Sequence, residues 1–175
     1  TRLVTLSGMG GSGKTRIAVR LARTRMEFFP DGVWFVDLAP IAEAGRVAEV
    51  ASRALGIVDE PGRTPIESLT HHVGDRRMLF VIDNCEEVLD GAAGLATALL
   101  NACPAARILA TSREALGLEG EAVFPVPTLE IPDAGDSSPD QLSGREAVRL
   151  FVDRAQAVQP DFEITAANAP ALAEI

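Results

Sequence analysis

The sequence contains very little lysine, which makes its single lysine informative. Of the 16 basic residues in the 175-residue chain, 15 are arginine, so Lys14 stands alone. Arginine serves wherever a generic surface cation suffices, whereas lysine is a compact point charge on a flexible stem. We therefore expect Lys14 to have a specific task, such as reaching a phosphate group.

Basic clusters, cysteines and long apolar runs are also scarce, and each shortage excludes a class of function. The net charge is -9 and the longest basic run is the pair Arg76-Arg77, so no nucleic-acid-binding face is expected here. Cys85 and Cys103 fit neither a Cys-x-x-Cys motif nor a disulfide framework, and we expect them to be reduced. No apolar run approaches the ~20 residues of a membrane span and no signal-peptide pattern occurs. A soluble, cytoplasmic protein without a membrane partner is predicted.

Residues 8–15 match the phosphate-binding loop pattern G-x-x-x-x-G-K-[ST] at every fixed position. The glycines allow backbone N–H groups and the start of the next helix to face phosphate oxygens. Lys14 would add a full charge, and Thr15 a hydroxyl ligand for Mg²⁺. The alternative, a glycine-rich turn with a chance lysine, is disfavoured by the scarcity of lysine. The predicted nucleotide contacts of this motif are Gly8, Gly10, Gly11, Ser12, Gly13, Lys14, Thr15 and Arg16.

Residues 78–83 form a predicted apolar strand that ends in an acid, which is the form of a Walker B element. An aspartate at the carboxyl end of a parallel strand beside a phosphate loop can hold Mg²⁺ through water. Apolar strands that end in Asp are common, so the pattern alone is weak. Together with the upstream phosphate loop it predicts that Asp83 lies opposite Thr15 as the second protein group of a Mg²⁺ site.

The residue after Asp83 bears on catalysis, because many ATPases with a phosphate loop and a Walker B element place a second acid there to orient the attacking water. Here that residue is Asn84, whose amide cannot act as a base. Asn84 and Glu87 fit the N-cap and third residue of a helix that runs to about residue 101. Glu86 remains a catalytic candidate. We therefore expect slow hydrolysis that uses Glu86 or needs other domains or a neighbouring subunit.

Residues 107–113 form another predicted strand, which ends in two hydroxyls and Arg113. Strand ends in an open α/β sheet line the ligand crevice. Arg113 is thus placed to sense a γ-phosphate and to distinguish ATP from ADP, the alternative being a surface arginine. If this strand end is to approach the phosphates, its strand must lie between those of Leu6 and Ile82. The prediction is an α/β three-layer sandwich with a parallel five-stranded sheet in the order 5-1-4-3-2.

The predicted organisation is a P-loop nucleotide-binding domain at 1–132, a linker or loop at 133–142 and the start of a helical region at 143–175. Residues 133–140 are rich in Asp, Ser, Pro and Gly, which favours a loop. Ser143 and Glu146 fit a capping box that would open the next helix. The abrupt start and the end inside an apparent helix predict a segment of a longer protein.

The phosphate loop, residues 82–86 (Ile-Asp-Asn-Cys-Glu) and residues 110–114 (Ala-Thr-Ser-Arg-Glu) together resemble the nucleotide-binding domain of STAND-class P-loop NTPases. Within that class the chain is most similar to the large bacterial transcriptional regulators of the SARP and LuxR types, relatives of the NB-ARC proteins. The resemblance extends from Arg2 to about Ala155. It implies a switch domain that binds ATP or ADP.

The resemblance also implies roles for individual residues and partners. Lys14 and Thr15 would bind phosphate and Mg²⁺, Asp83 would be the Walker B acid and Arg113 the sensor arginine. The partners would be other domains of the same chain, and copies of the protein in an ATP-bound homo-oligomer. DNA would be contacted only through domains outside this segment.

Two classes of function remain open: a regulatory switch with slow Mg²⁺-dependent ATP hydrolysis, and a turnover enzyme such as a P-loop kinase. Nothing in the sequence resembles a lid or a clamp for a substrate phosphate, which favours the switch. A GTPase is excluded because its guanine-reading Asn-Lys-x-Asp motif needs a second lysine.

Overall fold

The computed structural model describes residues 1–58, 61–133, 135 and 138–174. The chain forms two compact units, Thr1–Pro127 and Thr128–Ile175. The first unit contains the sheet and the second is helical. The domain boundaries predicted from composition stay a prediction. No helix in the described ranges is long and apolar enough to cross a membrane.

The first unit is built on one five-stranded sheet in which every strand pair is parallel. Its strands are β1 (Leu3–Ser7), β2 (Val33–Asp37), β3 (Leu79–Asp83), β4 (Arg107–Ser112) and β5 (Glu121–Pro125). They lie in the order β2-β3-β4-β1-β5, which confirms the predicted order 5-1-4-3-2. β4 therefore separates the strand that leads into the phosphate loop from the strand that ends in Asp83.

Among the described residues of this unit, four α-helices and three 3₁₀ turns connect the strands. The helices are α1 (Lys14–Thr24), α2 (Val47–Ala54), α3 (Pro65–Val73) and α4 (Leu89–Ala102), and the 3₁₀ turns are Met26–Phe28, Ala44–Arg46 and Cys85–Val88. Glycine and proline mark several of the boundaries, as expected for residues that end helices or begin them. The loop from β1 to α1 contains the phosphate-binding motif.

The inner strands β3 and β4 are buried on both faces of the sheet, and their alternate residues face opposite sides. On one face, Phe80 and Ile82 pack with apolar residues of α2, α3 and α4. On the other face, Leu79 and Val81 pack with Ala18 and Ala22 of α1. Helix α1 contacts β1, β3 and β4, so its first turn is held directly over the strand ends that carry the site.

The second unit contains α5 (Pro139–Ser143), α6 (Glu146–Gln156) and α7 (Ala169–Leu172). Its small core is formed by Leu142, Val148, Ala169 and Leu172. Residues 134, 136 and 137 of the predicted linker lie outside the described residues, and the linker's last residues are helical.

The predicted capping box of Ser143 and Glu146 is wrong. Ser143 ends α5, and the Glu146 carboxylate accepts the Glu130 N–H at 3.2 Å. The capping box of this region lies earlier, where Ser138 accepts the Gln141 N–H at 3.3 Å. Pro139 at the first helical position favours that earlier start, because its fixed φ suits a helix and no N–H is lost there.

We expect Cys85 and Cys103 to be unreactive in the folded protein, because both thiols are free and buried and the thiolate is the reactive form. Burial raises the pKa of Cys85 to about 12, with smaller contributions from the charges of Glu86 and Asp83. Burial also raises the pKa of Cys103. An aromatic disulfide reagent at pH 8 should titrate no thiol in the native chain and two in denaturant. Rapid native labelling of either cysteine would contradict the packing described above.

Candidate functional site at the carboxyl edge of the sheet

The phosphate-loop motif joins the end of β1 to the start of α1 and depends on glycine at specific positions. Gly11 and Gly13 have φ of +80° and +86°, a region that side-chain-bearing residues rarely adopt. Gly8 has φ of +153°, and a Cβ there would lie 2.6 Å from the carbonyl oxygen of Val126. The loop can therefore run close to the Val126 backbone only because Gly8 lacks a side chain, while Gly11 and Gly13 allow its left-handed turns.

Lys14 is the first residue of α1 and lies inside the loop. Its ammonium Nζ donates hydrogen bonds to the carbonyl oxygens of Gly8 at 2.8 Å and Met9 at 2.9 Å. The residue is only 8% exposed. A buried lysine needs such partners, because taking an ammonium out of water without them is costly. The structure therefore holds the one lysine of the chain at the centre of the predicted phosphate cradle.

Asp83 ends β3 and lies directly beside the first turn of α1. The hydroxyl of Thr15 contacts both carboxylate oxygens, Oδ1 at 2.8 Å and Oδ2 at 3.1 Å. The hydroxyl of Thr111, from the end of β4, donates to the same Oδ1. With Asp83 only 4% exposed, these donors satisfy a carboxylate that is almost withdrawn from water. The two residues predicted to hold Mg²⁺ are thus in direct contact.

Asn84 follows Asp83 and is, within the described ranges, the one non-glycine residue with a positive φ, at +59°. Its backbone N–H donates to the hydroxyl of Thr111 at 3.1 Å. Its side-chain amide donates to Asp83 Oδ2 at 3.3 Å and to Asp37 Oδ1 at 3.4 Å. Asparagine tolerates this left-handed conformation because its short amide can bond locally.

The predicted role of Asn84 as a helix cap is therefore wrong. Its side chain makes no capping hydrogen bond, and it leads into the 3₁₀ turn Cys85–Val88 before α4 begins at Leu89. The two carboxylates that flank it, Asp83 and Asp37, bind its amide instead. Glu87 accordingly lies within the 3₁₀ turn and is not the third residue of an α-helix.

Glu86 and Arg113 face each other across the cleft above the loop. Arg113 Nε lies 3.5 Å from Glu86 Oε1, with the two side chains 66% and 13% exposed. The other carboxylate oxygen, Glu86 Oε2, is buried and has no hydrogen-bond partner among the described residues, and the same is true of Ser12 Oγ. Two polar atoms at this edge of the sheet thus lack a protein partner.

The cleft that these residues surround has a volume of about 280 Å³. It is lined by residues from the loop and from the ends of β3 and β4, namely Gly10, Gly11, Gly13, Lys14, Thr15, Arg16, Asn84, Glu86, Glu87 and Arg113. A larger hollow of about 600 Å³ lies beside Thr1, but the phosphate loop takes no part in it. The described residues hold no group of three or more His, Cys, Asp or Glu suited to a metal ion.

The structure therefore brings most of the predicted site residues together. The loop glycines, Lys14, Thr15, Asp83, Glu86 and Arg113 all lie at one edge of the sheet. Two further residues, Thr111 and Asp37, join them as hydrogen-bond partners. The sequence places Thr111 only as one of two hydroxyls at a strand end, and no local pattern indicates its contact with Asp83.

Sequence comparison identifies relatives that are named as regulators, while no family model matches the chain. A Mycobacterium tuberculosis protein named as a candidate HTH-type transcriptional regulator is 51% identical over 174 residues, which is 99% of this chain and 18% of that protein. Regulatory protein AfsR of Streptomyces coelicolor is 37% identical over 110 residues, which is 53% of this chain and 11% of AfsR. The chain thus spans less than a fifth of the length of these two relatives.

Structure comparison identifies the fold. The crystal structure of Cdc6p from Pyrobaculum aerophilum superposes with a TM-score of 0.56 at 16% identity, over 89% of this chain and 43% of that chain. A likeness at this identity shows the fold alone. That fold is the α/β fold of P-loop ATPases, with its all-parallel five-stranded sheet.

Replacement of Gly8 tests whether the loop needs its close approach to the backbone. A Cβ in Gly8→Ala would meet the Val126 carbonyl at 2.6 Å, whereas in Gly10→Ala the nearest atom, Arg113 Nη2, is at an ordinary 3.8 Å. Strain of this kind costs about 1 to 3 kcal/mol, and each kcal/mol lowers the melting temperature of a chain of this size by ~2 to 4 °C. We expect calorimetry to show this fall in melting temperature for Gly8→Ala and not for Gly10→Ala. Equal melting temperatures for the two variants would contradict the described loop.

Proposed function

We propose that this chain is the nucleotide-binding switch domain of a multidomain bacterial transcriptional regulator, of the STAND class and NB-ARC-like. In this proposal it binds ATP or ADP with Mg²⁺ and hydrolyses ATP slowly. One observation carries the proposal: the hydroxyl of Thr15 contacts both oxygens of Asp83 directly beside the loop that contains Lys14. A Mg²⁺-nucleotide site requires these three side chains together.

The loop supports binding of a polyphosphate. Its left-handed glycines allow successive N–H groups to face one point, and the first turn of α1 contains no acid that would repel an anion. Inside the loop, the Lys14 ammonium is held by the carbonyl oxygens of Gly8 and Met9. The unpartnered hydroxyl of Ser12 adds a donor where a phosphate oxygen would supply the missing partner.

The oxygen groups beside the loop fit Mg²⁺, which prefers hard oxygen ligands in octahedral geometry. Thr15 would offer its hydroxyl oxygen while its proton remains bonded to Asp83, and the Asp83 carboxylate would hold the hydrated ion through water. Because the described residues hold no larger carboxylate cluster, phosphate and water oxygens would complete the shell. When bound, Mg²⁺ would neutralise charge on the β- and γ-phosphates.

Arg113 is the proposed reader of the γ-phosphate. Its contact with Glu86 is long, at 3.5 Å, and the guanidinium is largely exposed. Ion pairs at exposed sites contribute little free energy, typically below about 1 kcal/mol. A γ-phosphate can therefore compete for Arg113, and ADP lacks that group. The result is the difference in affinity that a switch requires.

Slow hydrolysis follows from the residues that surround the cleft. Asn84 stands where a water-orienting acid is often found, and its amide is bound to Asp83 and Asp37. Glu86 has one buried, unpartnered oxygen that could orient a water molecule, but its other oxygen faces Arg113. No specific observation favours the alternative, a P-loop kinase or another enzyme with rapid turnover.

The regulatory context is supported by the names of the relatives and by their length. One relative is named as an HTH-type transcriptional regulator and another as regulatory protein AfsR, and this chain spans 18% and 11% of them. We therefore propose that the nucleotide state is passed to other domains of the same polypeptide, and that these domains contact DNA. Assembly with further copies in the ATP-bound state, and a cytoplasmic location, belong to the same proposal.

Nucleotide binding is tested by Lys14→Ala, with Arg20→Ala as the matched control. Charge-assisted hydrogen bonds contribute about 1.5 to 3 kcal/mol, so loss of the Lys14 ammonium should weaken the binding of ATP and of ADP at least ~10-fold. Arg20 is an exposed cation on the same helix and should leave both affinities unchanged. Asp83→Asn should remove most of the effect of Mg²⁺ on binding and spare binding in EDTA. Calorimetric affinities of Lys14→Ala equal to those of the parent would refute the site.

The switch is tested by the preference for ATP over ADP and by the turnover rate. Arg113→Ala should reduce the ratio of the two affinities and leave ADP binding unchanged, because ADP offers no γ-phosphate.

Glu86→Gln should slow residual hydrolysis without weakening ATP binding. The turnover number of the parent chain should lie below ~1 s⁻¹. A higher rate, measured as phosphate release, would favour the enzyme alternative.

A further inference from the structure

Thr111 is a buried hydroxyl at the centre of the site that no role described so far uses. It lies next to last in β4 and is 1% exposed. β3 and β4 pair in register as far as Ile82 and Ala110, which brings the following residues, Asp83 and Thr111, to the same level. Its hydroxyl donates to Asp83 Oδ1 and accepts the backbone N–H of Asn84 at 3.1 Å.

The first of these contacts fixes the plane of the Asp83 carboxylate. The terminal torsion of an aspartate is broad, so an unrestrained carboxylate would sample many orientations. Oδ1 receives the hydroxyls of Thr15 and Thr111, while Oδ2 receives the Asn84 amide. With the carboxylate held on both sides, the lone pairs of Thr15 stay directed away from Asp83 and remain free for another ligand.

The second contact holds the turn that follows β3. A positive φ at a non-glycine residue persists only where the surroundings impose it. The Asn84 N–H would otherwise have to find another partner, since buried backbone donors are almost always paired. Glu86 lies two residues after Asn84, within the 3₁₀ turn, and its carboxylate oxygen Oε2 is buried. The orientation of Glu86 therefore depends on the conformation at Asn84.

We propose that Thr111 is a positioning residue of the Mg²⁺ site: its hydroxyl aligns Asp83 for the metal and, through Asn84, aims Glu86 at the cleft. The inference rests on the proposed nucleotide-binding function. Thr111 acts through its two neighbours and is not a ligand itself. A threonine with only a packing role would affect folding but would not affect the dependence of nucleotide binding on Mg²⁺.

The test compares Thr111→Val, Thr111→Ser and the control Thr5→Val in the 175-residue chain. Valine keeps the shape of threonine and removes the hydroxyl, and serine keeps the hydroxyl. Thr5 is an equally buried threonine of the neighbouring strand β1, and its hydroxyl has no hydrogen-bond partner among the described residues, so its replacement reports the exchange of threonine for valine without loss of a hydrogen bond. ADP affinity is measured by calorimetry with Mg²⁺ and with EDTA. Exchange of the Asn84 amide hydrogen is followed by NMR without nucleotide.

Thr111→Val should weaken ADP binding roughly tenfold in Mg²⁺, the effect of losing a hydrogen bond to a charged group, with little change in EDTA. Its Asn84 amide should exchange faster than in the parent. Thr111→Ser should match the parent in both measurements, and so should Thr5→Val. If Thr111→Val does not fold because its methyl group crowds the site of the hydroxyl, Thr111→Ala removes that crowding. The same changes in ADP affinity and in Asn84 amide exchange are then expected for Thr111→Ala.

The proposal is overturned if a folded Thr111→Val or Thr111→Ala protein keeps the parent's Mg²⁺ dependence, or if Thr5→Val changes it equally. The two proposals fail in distinguishable ways. A parent chain that binds no nucleotide defeats the proposed function and with it the metal role of Thr111. A parent chain that binds nucleotide with Mg²⁺, beside variants that bind it equally well, defeats the role of Thr111 alone.

Discussion

The structure of the site depends on how the buried carboxylate of Asp83 is hydrogen-bonded at the end of a sheet strand. A carboxylate withdrawn from water is tolerated only when its oxygens are well hydrogen-bonded. Its donors come from three separate parts of the chain, namely Thr15 on α1, Thr111 on β4 and the adjacent Asn84. The order of the strands is what allows these parts to meet, because β4 must adjoin β3 and α1 must lie over both.

The order of the strands could be predicted from the sequence because the residues that must meet beside the phosphates can be recognised by their chemistry. The apolar runs that became β3 and β4 are nearly continuous, as expected for strands buried on both faces. The end of the strand before Arg113 can reach the phosphates only from a position between β1 and β3, and this requirement places β4 between them. The loop residues could be predicted for a similar reason. Their pattern of glycine, lysine and threonine specifies backbone conformation and charge at adjacent positions, without help from distant contacts.

The details of the site that could not be predicted depend on contacts between distant segments. The spacing of Asn84 and Glu87 fits a helix cap. In the structure, however, the Asn84 amide donates hydrogen bonds to both Asp83 and Asp37, and Asp37 lies on a different strand. Thr111 gives no local signal, because its importance comes from the register that sets it beside Asp83. Ser138, the N-cap of α5, fits the same capping pattern as the wrong choice at Ser143, and Pro139 at the first helical position is a local signal that favours Ser138.

Lys14 and Arg113, two of the cations that line the cleft, differ in burial, and this difference is the basis of the proposed switch. Lys14 is buried and bound by two carbonyls of its own loop, so its position is set before any ligand arrives. Such a group stabilises any bound polyphosphate and cannot by itself distinguish ATP from ADP. Arg113 is exposed, and its ion-pair partner among the described residues is Glu86, so this partner can be exchanged at low cost. In the proposed switch, Lys14 therefore supplies affinity, and the exchange of Glu86 for a γ-phosphate at Arg113 supplies discrimination.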